Sequence, residues 1–318
     1  MKIGVFVPTY NAEHHWHRFI AGMEKQSLRI DAKLCIDSNS SDNTVTLARA
    51  SGFQVIEIPF CEYDHSRTRN LGVRLLDDHD IIIFLTQDAI LADENAFANL
   101  IASFEDAKVG SAYGRQLPRL GASPIEAHAR LFNYDAVSLV KAYASRTELG
   151  IKTVFISNSF SAYRLTAFDD VAGFPSRSIV SEDTFIAAKM LLAGWKIAYC
   201  ANAKVHHSHN YNWRQDFQRY FDVGVFHARE PWIRREFGGA EGEGLRFLKS
   251  EVKYLLREAP HLIPSAMVRT AIKYLGFRVG LAERYLTLPL KQHLSMQKAF
   301  WLQDGQGGDD ASRAGKTH

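Results

Sequence analysis

The sequence predicts an α/β fold, a mostly parallel central sheet flanked by helices, followed by a C-terminal helical appendage. Three observations carry that reading. The first 115 residues alternate short β-rich runs with helical periodicity, the pattern of strand–helix–strand units. The 318 residues are 46% hydrophobic and 23% charged, enough to bury a full core. Charge is also uneven. Residues 245–302 hold ten Lys or Arg against three Asp or Glu in a chain of net charge +3, so the remainder is net acidic.

Taken in order, strands are expected at 3–8, 32–37, 54–58, 81–85 and 109–113, with helices over about 13–27, 43–51, 66–77 and 94–105. Asn43, after the polar run SNSSD, and Asp93, before Glu94, supply helix-start chemistry. Residues 115–150 are less regular, and 118–124 reads as a loop of the kind that often carries substrate contacts. A strand at 153–157 is expected to resume the sheet. Ser181-Glu182-Asp183 opens a helix that Gly194 stops, 196–200 forms another strand, and the aromatic-rich segment 213–229 is helical.

These elements define a main domain over 1–244, a basic amphipathic appendage over 245–302, and a Gly-rich polar stretch over 303–318 expected to be disordered. In the first appendage helix Lys249, Lys253 and Arg257 form a basic stripe. In the second, Val268, Ala271, Ile272, Leu275, Val279, Ala282 and Leu286 share one face, with Arg269, Lys273 and Arg284 on the other side.

Several classes are excluded. Met1 leads straight into a strand-like run with no secretory signal, so the chain is expected in the cytoplasm. No apolar stretch approaches the roughly 18 residues needed to cross a bilayer, which leaves only peripheral membrane contact. Cys35, Cys61 and Cys200 are isolated and odd in number, which suits core packing better than disulfides or a thiolate zinc site. Neither GxGxxG nor a P-loop lysine is present, which weakens dinucleotide and ATP-cleaving readings, and nothing calls for nucleic acid.

In an open α/β sheet, ligands bind beyond the carboxyl ends of the strands. Here those ends carry Pro8-Thr9-Tyr10-Asn11, Asp37-Ser38-Asn39-Ser40-Ser41-Asp42 and Thr86-Gln87-Asp88. An Asp at the tip of the second strand can accept the ring N–H of uracil or thymine, and nearby hydroxyls and amides can reach ribose and phosphate. Glu182 and Asp183 stand at a helix start, where any two acids would complement the N-terminus, yet either can serve as a general base. His206-His207-Ser208-His209 places three imidazoles within four positions, without the helical H-E-x-x-H arrangement of a zinc protease. Gln215–Phe221 reads as an amphipathic helical stretch containing Arg219.

In this order, VPTYN, DSNSSDNT, HSRTRNLG, FLTQDA and SED resemble the family 2 glycosyltransferases of the Rossmann-like GT-A fold, over about residues 1–230. The resemblance implies transfer of a sugar from a nucleotide diphosphate donor. By it, Thr9, Tyr10 and Asp37 contact the nucleoside, beside Pro8, Asn11, Ser38 and Ser40, while Arg69 and Asn70 lie along the donor. Gln87 and Asp88 sit at the diphosphate, Asp88 holds Mg²⁺ or Mn²⁺, and His206 or His207 completes the metal site. Asp183 is the catalytic base of an inverting transfer, Glu182 supports it, and Arg219 serves acceptor and diphosphate. One departure stands out, because Thr86-Gln87-Asp88 keeps a single acid of the family's DxD.

FLTQDA, SNSFSAYR at 157–164 and SEDTFIAAKMLLAGWKIAY are similar to the bacterial rhamnosyltransferase branch of that family. That similarity implies dTDP-L-rhamnose as donor and a surface polysaccharide, O-antigen-like and carried on polyprenyl diphosphate, as acceptor. The basic appendage then fits an anionic membrane surface, and equally a dimer interface or a lid. Competing readings are a UDP-hexose or UDP-HexNAc transferase of the same fold, a sugar nucleotidyltransferase, and a non-catalytic sugar-binding homologue.

Overall fold

The computed structural model describes residues 1–239 and 241–302, so the stretch 303–318 expected to be disordered lies outside the described residues. Strands β1 (Ile3–Thr9), β2 (Ala32–Asp37), β3 (Gln54–Glu57), β4 (Ile81–Leu85), β5 (Ile90–Leu91), β6 (Val109–Leu117), β7 (Leu139–Lys141), β8 (Phe160–Arg164) and β9 (Lys196–His206) form one sheet. Its order is β3-β2-β1-β4-β8-β6-β9-β5, with β7 on β9. Helices α1 (Glu13–Glu24), α2 (Thr44–Ala50), α3 (His65–Arg74) and α4 (Ala96–Ala102) belong to the first half. Then come α5 (Pro124–Asn133), α6 (Arg146–Leu149), α7 (Leu165–Asp170), α8 (Glu182–Leu192), α9 (Trp213–Arg229) and α10 (Pro231–Phe237). The appendage supplies α11 (Glu241–Glu258), α12 (Ile263–Leu281) and α13 (Leu288–Leu294).

The half built from strand–helix–strand units, β3-β2-β1-β4, is parallel throughout. Beyond β4 the sheet is mixed: β8 runs antiparallel to both β4 and β6, β9 is parallel to β6, and β5 and β7 are antiparallel to β9. The expectation of parallel strands therefore holds where crossover helices separate them and fails where β8 turns back between its neighbours. Alternation along the strands fills both faces. Phe6, Leu34, Ile36, Ile82 and Phe84 enter one core, while Val5, Val7, Cys35, Ile81 and Ile83 enter the other.

The strand expected at 153–157 is instead a 3₁₀ turn over Gly150–Val154. The cause is Lys141, a buried residue whose ammonium hydrogen-bonds the carbonyls of Lys152 and Phe155. Thr153 and Val154 are buried as the sequence suggests, but the sheet position belongs to β8. Residues 118–133 are loop only as far as Ser123, whose hydroxyl and the Glu126 carboxylate form a reciprocal cap for α5. The Asn43 side chain does not cap α2. Asp42 takes the Thr44 N–H, and Asn43 bonds Glu13. Among the cysteines Cys35 is buried as expected, whereas Cys61 is exposed.

The appendage packs on the main domain chiefly through one side of α12. Helix α12 crosses α9 through glycines: a Cβ on Gly276 would lie 2.5 Å from the Phe217 carbonyl oxygen, and one on Gly280 2.1 Å from that of Phe221. Ala266 is buried on the same side, and Arg269 there pairs with Asp216 at 2.5 Å. Of the apolar face read from the sequence, Val268 and Leu275 are exposed, while Val279 and Leu286 pack against the core. Backbones that approach so closely leave room only for hydrogen at the contact, so glycines rather than large apolar side chains form its centre.

Candidate active site

The tips of β1 and β2 are knitted together below the surface. The Asp37 carboxylate is fully buried and accepts the Thr9 hydroxyl at 2.7 Å, the Ser40 hydroxyl at 2.7 Å and the Ser40 N–H at 2.7 Å. Asp37, Thr9 and Ser38 are therefore buried and tie the loop together from beneath. Ser40 also accepts the Asn11 N–H, and Asn11 accepts from Ser41. Pro8 is half-buried, and what the cleft presents are the exposed side chains of Tyr10 and Asn11. The Tyr10 ring packs on exposed Phe60, centroids 5.0 Å apart, making an aromatic wall.

Gln87 bridges β4 to β1. Its carboxamide oxygen accepts the Tyr10 N–H at 2.8 Å, and its NH₂ donates to the Tyr10 carbonyl at 3.0 Å. A carboxylate could make only the first bond. Asp88 follows, partly exposed, with Oδ2 3.4 Å from His207 Nε2 and 3.8 Å from His209 Nε2. One donor atom from each of Asp88, His207 and His209 falls within 4.8 Å of the others. Burial opposes ionisation of Asp88, but the hydrogen bond and charge of His207, the charge of His209 and Thr86 outweigh it and hold the carboxyl far below its ordinary range. Burial and the neighbouring His207 push the His209 imidazole down to about 4.

His206 is not part of this cluster. It is the last residue of β9, and its Nδ1 lies 2.9 Å from the Pro118 carbonyl oxygen. Where the strand ends, positions two apart share a side, so His207 and His209 converge and His206 faces away.

A second acidic pair lies at the start of α8, after Ser181 in left-handed backbone at φ 62°. Glu182 is buried beside Arg69, Oε1 to Nη1 at 3.3 Å, and accepts Asn158 Nδ2 at 3.0 Å. Burial works against the Glu182 charge, yet Arg69, His65 and Asn158 hold the carboxyl below its ordinary range. Asp183 is half-buried and accepts the Asn158 N–H at 3.3 Å. Burial first, and then the charge of Glu182, raise its carboxyl to about 7. The pair therefore loses its first proton from Glu182 and its second from Asp183.

Arg69 is 5% exposed and paired with Glu182. Asn70 is committed too, its amide bonding both the N–H and the carbonyl of Phe174. Arg219, half-buried on α9, adds its charge to the burial that lowers the imidazoles of both His65 and His209. The two acidic centres are joined by one turn: the Thr86 N–H, two residues before Asp88, bonds the Ser159 carbonyl, and Asn158 in the same turn holds Glu182 and Asp183.

A sequence model described as Glycosyl transferase family 2 matches residues 4–172. The chain belongs to glycosyltransferase family 2. This glycosyltransferase is 49% identical to the O-antigen chain rhamnosyltransferase RfbN of Salmonella typhimurium, over 95% of the chain and 96% of that protein. It is 46% identical to the O-antigen chain rhamnosyltransferase WbaN of Salmonella anatum, over 93% and 95%. Its fold is similar to that of a Pyrobaculum calidifontis mannosyltransferase solved with GDP-Man and Mn²⁺, at TM-score 0.55 and 16% identity, covering 95% of this chain and 85% of that one. S. aureus TarS 1–349 in complex with UDP-GlcNAc follows at TM-score 0.53 and 13% identity, covering 90% and 92%.

Sequence motifs did not reach four residues of this family 2 site: His209, Gln116, Arg130 and Asn158. His209 was within reach, since the i, i+2 spacing from His207 is the signal. Gln116, Arg130 and Asn158 act through bonds made across long separations in the chain, and no local pattern marks them.

Proposed function

We propose that this glycosyltransferase moves L-rhamnose from dTDP-L-rhamnose onto a growing O-antigen chain on a polyprenyl diphosphate carrier, with inversion at the anomeric carbon. The observation that carries the substrate is the 49% identity to an O-antigen chain rhamnosyltransferase over nearly the whole of both chains. The acceptor hydroxyl oxygen bonds to the anomeric carbon as the bond from that carbon to the diphosphate breaks, and the hydroxyl proton passes to Asp183. A carboxyl raised to about 7 beside a charged Glu182 suits a base that takes and later releases one proton near neutral pH. Tyr10, Asn11 and Phe60 line the nucleoside end in this reading, and Asp88 and Arg219 flank the diphosphate.

Asp88, His207 and His209 fit a divalent ion. One carboxylate and two imidazoles leave room for phosphate oxygens, and nitrogen donors favour Mn²⁺ over Mg²⁺, which keeps to oxygen ligands. When bound, such an ion neutralises charge on the departing diphosphate. A thermal-shift panel of dTDP-L-rhamnose, UDP-glucose, UDP-GlcNAc and GDP-mannose with Mn²⁺ tests the donor. Stabilisation by dTDP-L-rhamnose above the others supports the reading, and preference for a UDP-sugar rejects it.

The catalytic domain is read as 1–244 and the appendage as 245–302, with the appendage meeting the cytoplasmic face of the membrane. Exposed Met267, Val268, Tyr274 and Leu275 on α12, with Arg278, support this contact, as do exposed Lys249, Lys253 and Arg257 on α11. Among the described residues no helix is long and apolar enough to cross a membrane. Flotation of the full chain with anionic liposomes tests it: Met267→Lys with Leu275→Lys loses binding, and undiminished binding rejects the contact.

A further inference from the structure

Gln116, at the end of β6, is 2% exposed and lies between three partners. Its carboxamide oxygen accepts from Arg130 Nη1 at 2.6 Å and lies 2.9 Å from His207 Nδ1. Its NH₂ donates to the Ser157 hydroxyl at 2.9 Å. A guanidinium has donors and no acceptor, so the oxygen has to face Arg130, and reversing the amide would set NH₂ against it. With the oxygen fixed, His207 Nδ1 carries the proton. In a neutral imidazole Nε2 then presents its lone pair, and that atom is the one 3.4 Å from Asp88 Oδ2. Protonated, that atom donates to Asp88; in the neutral ring its lone pair and the carboxylate can share a bound cation.

We infer that Gln116 is a positioning residue of the Asp88–His207–His209 site, fixing His207 in the Nδ1–H form so that Nε2 is a ready metal ligand. The inference rests on the reading of that cluster as a metal site. Arg130 is the anchor of the arrangement. It sits on α5, whose start is fixed by the Ser123–Glu126 cap and whose length packs against α11 of the appendage. The same carboxamide continues through Ser157 to Asn158, so the groups that aim His207 also adjoin the turn that holds Asp183. Outer partners of this kind orient metal-binding histidines, and their loss costs about 10–100-fold in metal affinity.

Two measurements on the full-length protein decide it. In ¹⁵N-histidine spectra of the metal-free wild type above pH 8, with the His207 signals identified by their loss in His207→Gln, the protonated nitrogen is expected to be Nδ1. An Nε2–H form overturns the inference. In Mn²⁺ titrations with dTDP present, Gln116→Leu is expected to weaken binding by about 10–100-fold, while Gln116→Glu, which still accepts from Arg130 and His207, stays within a few-fold of wild type. Unchanged affinity in Gln116→Leu, or an equal loss in both variants, overturns it. Failure of the wild type to take up Mn²⁺ rejects the metal site itself, and this inference with it, whereas normal uptake with an Nε2–H His207 rejects the inference alone.

Discussion

Glu182→Gln separates two roles that the buried carboxylate combines. Glu182 and Arg69 have side chains only 7% and 6% exposed, so neither charge is shielded by water. Removing the anion leaves a buried guanidinium without its acidic partner, a change that costs about 3–5 kcal/mol when one member of such a pair is lost. In a chain of this size that corresponds to a melting temperature lower by roughly 4–8 °C. The second effect has the opposite sense for the chemistry. The charge of Glu182 helps to raise the Asp183 carboxyl, and Arg69 lowers it. With glutamine in place the Asp183 carboxyl falls toward the ordinary carboxylate range. The acid limb of the kcat/KM profile, set by Asp183, therefore moves to lower pH even as the protein melts earlier. The assay is dTDP release from dTDP-L-rhamnose and acceptor between pH 4.5 and 9, beside calorimetry at pH 7. An acid limb that stays in place or moves up refutes the coupling of the two acids, and an unchanged melting temperature refutes the buried pair.

Three further outcomes follow from the same geometry. Asp183→Asn lowers turnover by about 10²–10⁴-fold while nucleotide binding persists. Because the folded-state pKa of Asp183 lies above its ordinary 3.8, ionisation opposes folding between those values. The penalty is absent below about pH 4 and complete above about pH 7, so Asp183→Asn melts with wild type near pH 4 and above it at pH 8. Ser295→Ala removes a hydroxyl that donates to buried Asp222, whose carboxyl is raised to about 7 by burial. The expected loss is about 1–3 kcal/mol, greater at pH 8 than at pH 5, by thermal melts. Gly280→Ala forces α12 off α9, and the backbone clash outweighs the roughly 1 kcal/mol that alanine gains in helix propensity. A net loss of about 1–3 kcal/mol is expected from denaturant titration.

Much of this was legible in the chain, and the failures have physical causes. Strands β2 and β4 fall where apolar runs end in polar residues, and their tips carry the groups of the candidate site. The confusion of 153–157 with β8 arises because both are apolar, and the choice between them turns on Lys141, distant in sequence. The side of α12 that meets α9 is not marked in the sequence, because glycine carries no hydrophobic signal although it permits the closest approach. Residue type singled out Asp37 and Arg69 as candidate donor contacts. Type alone does not reveal that both are buried supports, since that depends on where Thr9, Ser40 and Glu182 arrive.

The most direct test of the account is transfer itself. Wild-type protein and Asp183→Asn are incubated with Mn²⁺, dTDP-L-rhamnose and a polyprenyl diphosphate-linked O-antigen acceptor, and glycolipid product and dTDP are quantified together. The account predicts that wild type forms one rhamnosylated product per dTDP released and that Asp183→Asn forms almost none while still binding dTDP. Equal product from both proteins would contradict it.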